Sequence, residues 1–183
     1  GGLLDAAGVS GEVSFAVADV NSGKVLESHN ATQALPPASV TKVMTALYAL
    51  ETLGAGHRFK TEVIAVGRVT EGVLHGDLVL AGGGDPTLST NALAAIAAQL
   101  KKTGLREVRG QFLVYGGALP QVNEIDPQQA PHVGYNPAIS GISLNYNRVH
   151  FEWKRGGKGY AVTMDARSER YRPEVRVAAM KVV

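Results

Sequence analysis

The chain has 183 residues, 45% of them apolar and 19% charged, with a formal charge of +2 and no cysteine. This composition suits one folded domain or two small ones and excludes a disordered chain. The small charge makes no case for nucleic acid or an anionic membrane, and the missing cysteine excludes disulfides, thiolate catalysis and cysteine-held metals.

The first residues, Gly1-Gly2-Leu3-Leu4-Asp5, do not read as a leader. Residues 13–20 are rich in β-formers and apolar on both faces, which predicts a central strand. Asn21-Ser22-Gly23 is turn chemistry, and residues 24–27 return as an antiparallel partner. A loop ending in Pro36-Pro37 precedes a helix over 39–53, closed by Gly54. Val40, Val43, Met44, Leu47 and Leu50 fall at helical spacing, and Ala46 and Ala49 occupy the opposite side. A helix apolar nearly all round is expected in a core.

From Lys60 the texture changes to short strands and many glycines. Strands are expected at 61–66 and 77–81 around a polar loop, then a turn at Gly82-Gly83-Gly84-Asp85-Pro86. That glycine run lacks the Gly-Lys-Ser/Thr ending of a phosphate loop. A second helix is expected over 90–102 with Leu93, Ile96 and Leu100 as its apolar stripe. Residues 108–115 read as a strand, 118–138 as irregular, and 142–153 with 160–164 as a strand pair. The late basic residues, Lys154, Arg155, Lys158, Arg167, Arg170, Arg172 and Arg176, are interleaved with Asp165, Glu169 and Glu174, as on a solvated mixed-sign face. No segment is long and apolar enough to span a bilayer. The five histidines are scattered without short-range pairing, so no metal site is expected. The compositional break places a domain boundary near residue 60, dividing the chain into 1–60 and 61–183.

One motif carries chemistry. In Ser39-Val40-Thr41-Lys42, the lysine is the only ionised side chain between Ala31 and Leu50. Residues i and i+3 of a helix share a face, so the amine reaches the serine oxygen. Burial disfavours the ammonium form, and a neutral amine can take the serine proton. The helix N-terminus favours negative charge developing on the serine. A structural alternative has Ser39 as an N-cap and Lys42 reaching out to water. On the catalytic reading Lys42 is buried beside Ser39; on the structural one it is exposed.

Pro37-Ala38-Ser39-Val40-Thr41-Lys42-Val43-Met44-Thr45 resembles the nucleophile helix of the penicillin-binding proteins and serine β-lactamases. The resemblance narrows to the D-alanyl-D-alanine carboxypeptidase/endopeptidases of the low-molecular-mass class C penicillin-binding proteins. It does so through Val17-Ala18-Asp19-Val20, Gly23-Lys24-Val25-Leu26, His75-Gly76-Asp77-Leu78-Val79-Leu80, Gly82-Gly83-Gly84-Asp85-Pro86-Thr87-Leu88 and Ile142-Ser143-Leu144-Asn145-Tyr146-Asn147. The resemblance implies a mixed α/β (α+β) chain. Residues 1–60 would begin a transpeptidase-like catalytic domain, and 61–183 would belong to an inserted, mainly β domain with at least one helix. It implies Ser39 as nucleophile, Lys42 as general base, no cofactor or metal, and a periplasmic place of work. Peptidoglycan stem peptides would be substrates and β-lactams acylating ligands.

The family also uses Ser-x-Asn and Lys-Thr-Gly. Lys102-Thr103-Gly104 matches by letters but is expected to be a helix stop. Ser143-Leu144-Asn145 matches too, as do Ser28-His29-Asn30 and Ser89-Thr90-Asn91, and its segment is expected to be a strand. With both motifs set aside, the chain holds half an active site. It is then an N-terminal portion whose partner is the remaining C-terminal part, in the same or a second polypeptide, and is inactive alone. The competing readings are a non-catalytic cell-wall-binding scaffold and a β-lactamase or esterase of the same superfamily.

Overall fold

A computed structural model of the chain describes residues 2–130, 132–157 and 159–176. These fall into two compact units, 1–57 and 58–183.

The first unit holds helix α1 (Gly2–Ala7), strands β1 (Phe15–Ala18) and β2 (Val25–His29), a 3-10 turn (Ala38–Val40) and helix α2 (Thr41–Leu53). β1 and β2 pair antiparallel. Asp19 closes their turn by accepting from the Ser22 amide at 2.8 Å and the Ser22 hydroxyl at 2.6 Å, and these bonds lower its pKa. Among the described residues the sheet has these two strands alone, so β1 is not central as its composition predicts. No described residue of this unit is buried. The large apolar side chains from Val40 to Leu53 are all about half exposed or more. The expected core helix therefore has no core around it. One hairpin and two helices supply too little chain to cover both faces of α2.

The second unit is organised on β4. β3 (Thr61–Thr70) and β4 (Val73–Gly82) form a ten-pair antiparallel hairpin. Its connection is Glu71-Gly72, both at positive φ, as a two-residue hairpin turn requires. The polar segment expected to be a loop is thus strand. Its two glycines sit opposite each other, Gly67 against Gly76, where the facing backbones leave no space for a Cβ. The chain then runs through helix α3 (Thr90–Lys102). It returns as β5 (Glu107–Val108) and β6 (Phe112–Tyr115), both parallel to β4. The single strand expected over 108–115 is broken because Gly110 packs against Gly76 and Asp77, and the Gln111 amide donates to Asp77. Leu74, Leu78 and Leu80 of β4, with Leu88, are the buried apolar residues.

Strands β7 (His150–Gly156) and β8 (Gly159–Asp165) make a separate antiparallel hairpin. The late charges pair as a mixed-sign set: Arg167 with Asp165 and Glu152, Lys154 with Glu152, Arg176 with Glu174. Asp165 is buried, and Arg167 donates to both its oxygens at 2.8 and 2.7 Å. This holds the Asp165 carboxyl below its ordinary pKa. A lowered folded-state value means stability that is present above the unfolded value of about 3.9 and lost as pH falls through the folded one. Asp165→Asn is expected to weaken the hairpin near neutral pH and to flatten its acid unfolding below pH ~4. Fluorescence of Trp153, the sole tryptophan, reports both.

Candidate active site

Ser39 lies inside the 3-10 turn that leads into α2. The residue before it, Ala38, has φ 44°, a left-handed conformation that costs an alanine roughly 1–2 kcal/mol. Pro37 and Val40, not Ser39, are the cap residues of the turn and of α2, and neither makes a side-chain cap bond. The N-cap alternative for Ser39 is therefore not what is observed. Lys42 Nζ instead donates to Ser39 Oγ at 2.8 Å. Serine hydroxyl and lysine amine thus meet at the head of one apolar helix.

The surroundings differ from the expectation in one respect. Both Ser39 and Lys42 are exposed, where the catalytic reading has Lys42 buried. The reason is the one that leaves α2 bare: residues 1–57 contain nothing that covers this face. The geometry of the pair is present; its burial is not.

The two apparent companion motifs have other occupations. Lys102-Thr103-Gly104 ends α3: the Thr103 hydroxyl donates to Leu100 O at 2.7 Å, and Gly104 follows at φ 84°. Ser143-Leu144-Asn145 is not in a strand. It runs into a turn, Asn145-Tyr146-Asn147, in which three consecutive residues have φ between 50° and 59°. The strand expected from 142 begins only at His150, because a left-handed run cannot continue a pleat. Asn145 is fully engaged. Its Oδ1 accepts from the Thr90 amide at 3.1 Å, and its Nδ2 donates to Thr90 Oγ1 at 2.9 Å and Ala166 O at 3.0 Å. Asn147 holds Ala138 O at 2.8 Å and Ser143 Oγ at 3.2 Å. Asn145→Gly keeps the backbone conformation and removes the three side-chain bonds, so it is expected to cost about 2–4 kcal/mol, read by thermal melting.

Asn136 reads in the sequence only as part of a turn with Tyr135 and Pro137, and its buried role is new. It is buried, accepts from the Ile125 and Asp126 amides at 2.9 and 2.8 Å, and donates to Asp126 O at 2.9 Å. It organises the irregular loop; its only sequence signal is its place before Pro137.

The D-Ala-D-Ala carboxypeptidase 3 (S13) family model matches residues 3–176. The chain belongs to that family. The resemblance read from the nucleophile helix is thereby borne out. Among curated relatives, a D-alanyl-D-alanine carboxypeptidase of Actinomadura sp. (strain R39) is 36% identical over 146 residues, which is 78% of this chain and 27% of the relative. D-alanyl-D-alanine carboxypeptidase DacB of Haemophilus influenzae is 29% identical over 102 residues, 56% of this chain and 21% of that protein. The chain thus spans about a quarter of the length of the curated relatives it matches. Among solved structures, penicillin binding protein 4 (dacB) of H. influenzae superposes with a TM-score of 0.64 at 23% identity, over 84% of this chain and 36% of that one. A complex of that protein with a β-lactam gives 0.57 over 85% and 33%. These superpositions show the mixed helix-and-sheet fold of a penicillin-binding protein.

Proposed function

We propose that residues 1–183 are the nucleophile-bearing N-terminal portion of a serine-type D-alanyl-D-alanine carboxypeptidase/endopeptidase of peptidoglycan. Residues 1–60 begin the catalytic domain, and residues 61–183 belong to the domain inserted into it. The observation that carries the reading is the 2.8 Å contact between Lys42 Nζ and Ser39 Oγ at the head of α2, inside an S13 family match. Ser39 Oγ attacks the carbonyl carbon of the penultimate D-alanine. Lys42 takes the hydroxyl proton and passes it to the departing amine of the terminal D-alanine. Water then releases the acyl group from Ser39. The Ser39 amide is one oxyanion donor, and a second comes from the C-terminal part. That part also supplies the Ser-x-Asn and Lys-Thr-Gly elements and the surface that buries Lys42. A β-lactam mimics the dipeptide and acylates Ser39, as the β-lactam complex of the H. influenzae protein suggests. Its opened ring stays attached, so deacylation is slow. The substrate places the enzyme outside the cytoplasm, in the periplasm.

The scaffold reading has one observation in its favour, the exposure of Lys42. Against it stand the absent N-cap bond and a helix too apolar to face water permanently.

The test is intact-mass analysis of the whole protein after treatment with benzylpenicillin, with peptide mapping of the adduct. Label on the peptide containing Ser39 is expected; a folded, complete protein without it removes the catalytic reading. The residue 1–183 chain alone should take up no label. Asn145→Gly in the whole protein should leave the labelling rate unchanged at a temperature where it is folded.

A further inference from the structure

The second unit has an unfinished edge. Strand β6 pairs with β4 on one side, and among the described residues its other side carries no strand. The Leu78 amide donates to Gln111 O at 2.8 Å. In a parallel ladder the bonding residues alternate, so Gln111, Leu113 and Tyr115 turn their backbone groups to β4. Phe112 and Val114 then turn theirs to the open edge. Their side chains are 62% and 58% exposed, in a strand without a charged residue to discourage pairing.

The same two side chains line a groove of about 520 Å³ between the sheet and α3. Leu93, Ile96 and Leu100, the apolar stripe of α3, form its opposite wall and are only half-buried. Leu78 and Leu80 form its floor. The single polar contributor, Asn147, already donates to Ala138 O and Ser143 Oγ. The groove therefore offers nothing to a charged or polar ligand. Open backbone groups and an apolar trough lie along one strand, with the period of two that a strand presents.

We infer that the β6 edge receives an extended β-strand from the C-terminal part of the same polypeptide, with apolar side chains at alternate positions filling the groove under α3. This rests on the proposal that residues 1–183 work within a longer protein. The occupant follows from length: some three quarters of each curated relative lies outside the matched span. A strand brings donors and acceptors for Phe112 and Val114 as well as apolar side chains; a helix or a small apolar molecule brings only the second. Addition at the edge extends the sheet from β3-β4-β6 to a fourth position and closes the trough.

Photo-crosslinking in the whole protein tests this. Phe112→p-benzoylphenylalanine keeps an aromatic ring at the position, and Val114→p-benzoylphenylalanine provides a second probe. Irradiation is expected to join either position, within one molecule, to an apolar segment C-terminal to residue 183. Amide exchange in the unlabelled whole protein is expected to be slowed about 100-fold or more at Phe112 and Val114 relative to an unstructured peptide. A crosslink to a second copy, no crosslink at either site, or free exchange at these two amides while Leu113 and Tyr115 stay protected overturns the inference. Penicillin labelling of the same sample separates it from the enzymatic reading. Ser39 labelled without the crosslink removes the added strand alone; the crosslink without label removes the serine chemistry alone.

Discussion

Ser39→Ala in the whole protein is expected to abolish the penicillin adduct and to lower peptidase turnover by on the order of 10⁴-fold or more. The size follows from the mechanism. Removing the nucleophile eliminates the acyl-enzyme, and only binding and oxyanion stabilisation are left to assist direct attack by water. Folding is not the cause, since Ser39 is exposed, caps no helix and, among the described residues, its side chain is hydrogen-bonded to Lys42. A substitution of that kind shifts stability by about 0.5 kcal/mol at most. Melting should therefore be unchanged while activity disappears. If turnover persists within tenfold of the parent, the nucleophile lies elsewhere and the 2.8 Å pair is incidental.

Lys42→Arg is expected to slow acylation about 10²–10⁴-fold, the usual worth of a positioned acid–base group. Arginine keeps the positive charge and a comparable reach, but it stays protonated and cannot accept the serine proton. If Lys42 only attracted a substrate carboxylate, arginine would substitute for it with little loss. Lys42→Ala should show a similar fall, partly restored by millimolar small primary amines. A merely structural lysine would give no such rescue. In both variants the residual adduct should still map to Ser39, which separates loss of the base from loss of the nucleophile.

Local chemistry carried most of the elements into view. α3 was legible because Leu93, Ile96 and Leu100 repeat at helical spacing and Gly104 stops it; the cap, Ser89 accepting from the Ala92 amide, emerged only in the fold. The β1–β2 turn was legible in Asn21-Ser22-Gly23. Features that depend on distant partners were not. Gly67 and Gly76 read as loop residues, yet they sit in a strand pair because each is the other's neighbour across the hairpin. Asn145 read as part of the strand expected over 142–153, since nothing in its own segment announces that it ties Thr90 to Ala166. The Ser39–Lys42 contact was visible because i, i+3 geometry is local. Its environment was not visible, because burial belongs to whatever packs on α2.

The bareness of the first unit also bears on the order in which the chain folds. Residues 1–57 leave the ribosome before 58–183, yet none of their described residues is buried and they can gain little from early collapse. The β3–β4 hairpin closes through a two-residue turn and needs only neighbouring sequence. With α3 and the return of β6 it encloses Leu74, Leu78 and Leu80. Nucleation thus belongs to the middle of the chain. Helix α2, although made before the β3–β4 hairpin, is expected to become ordered after it, because its apolar side chains find no cover within residues 1–57.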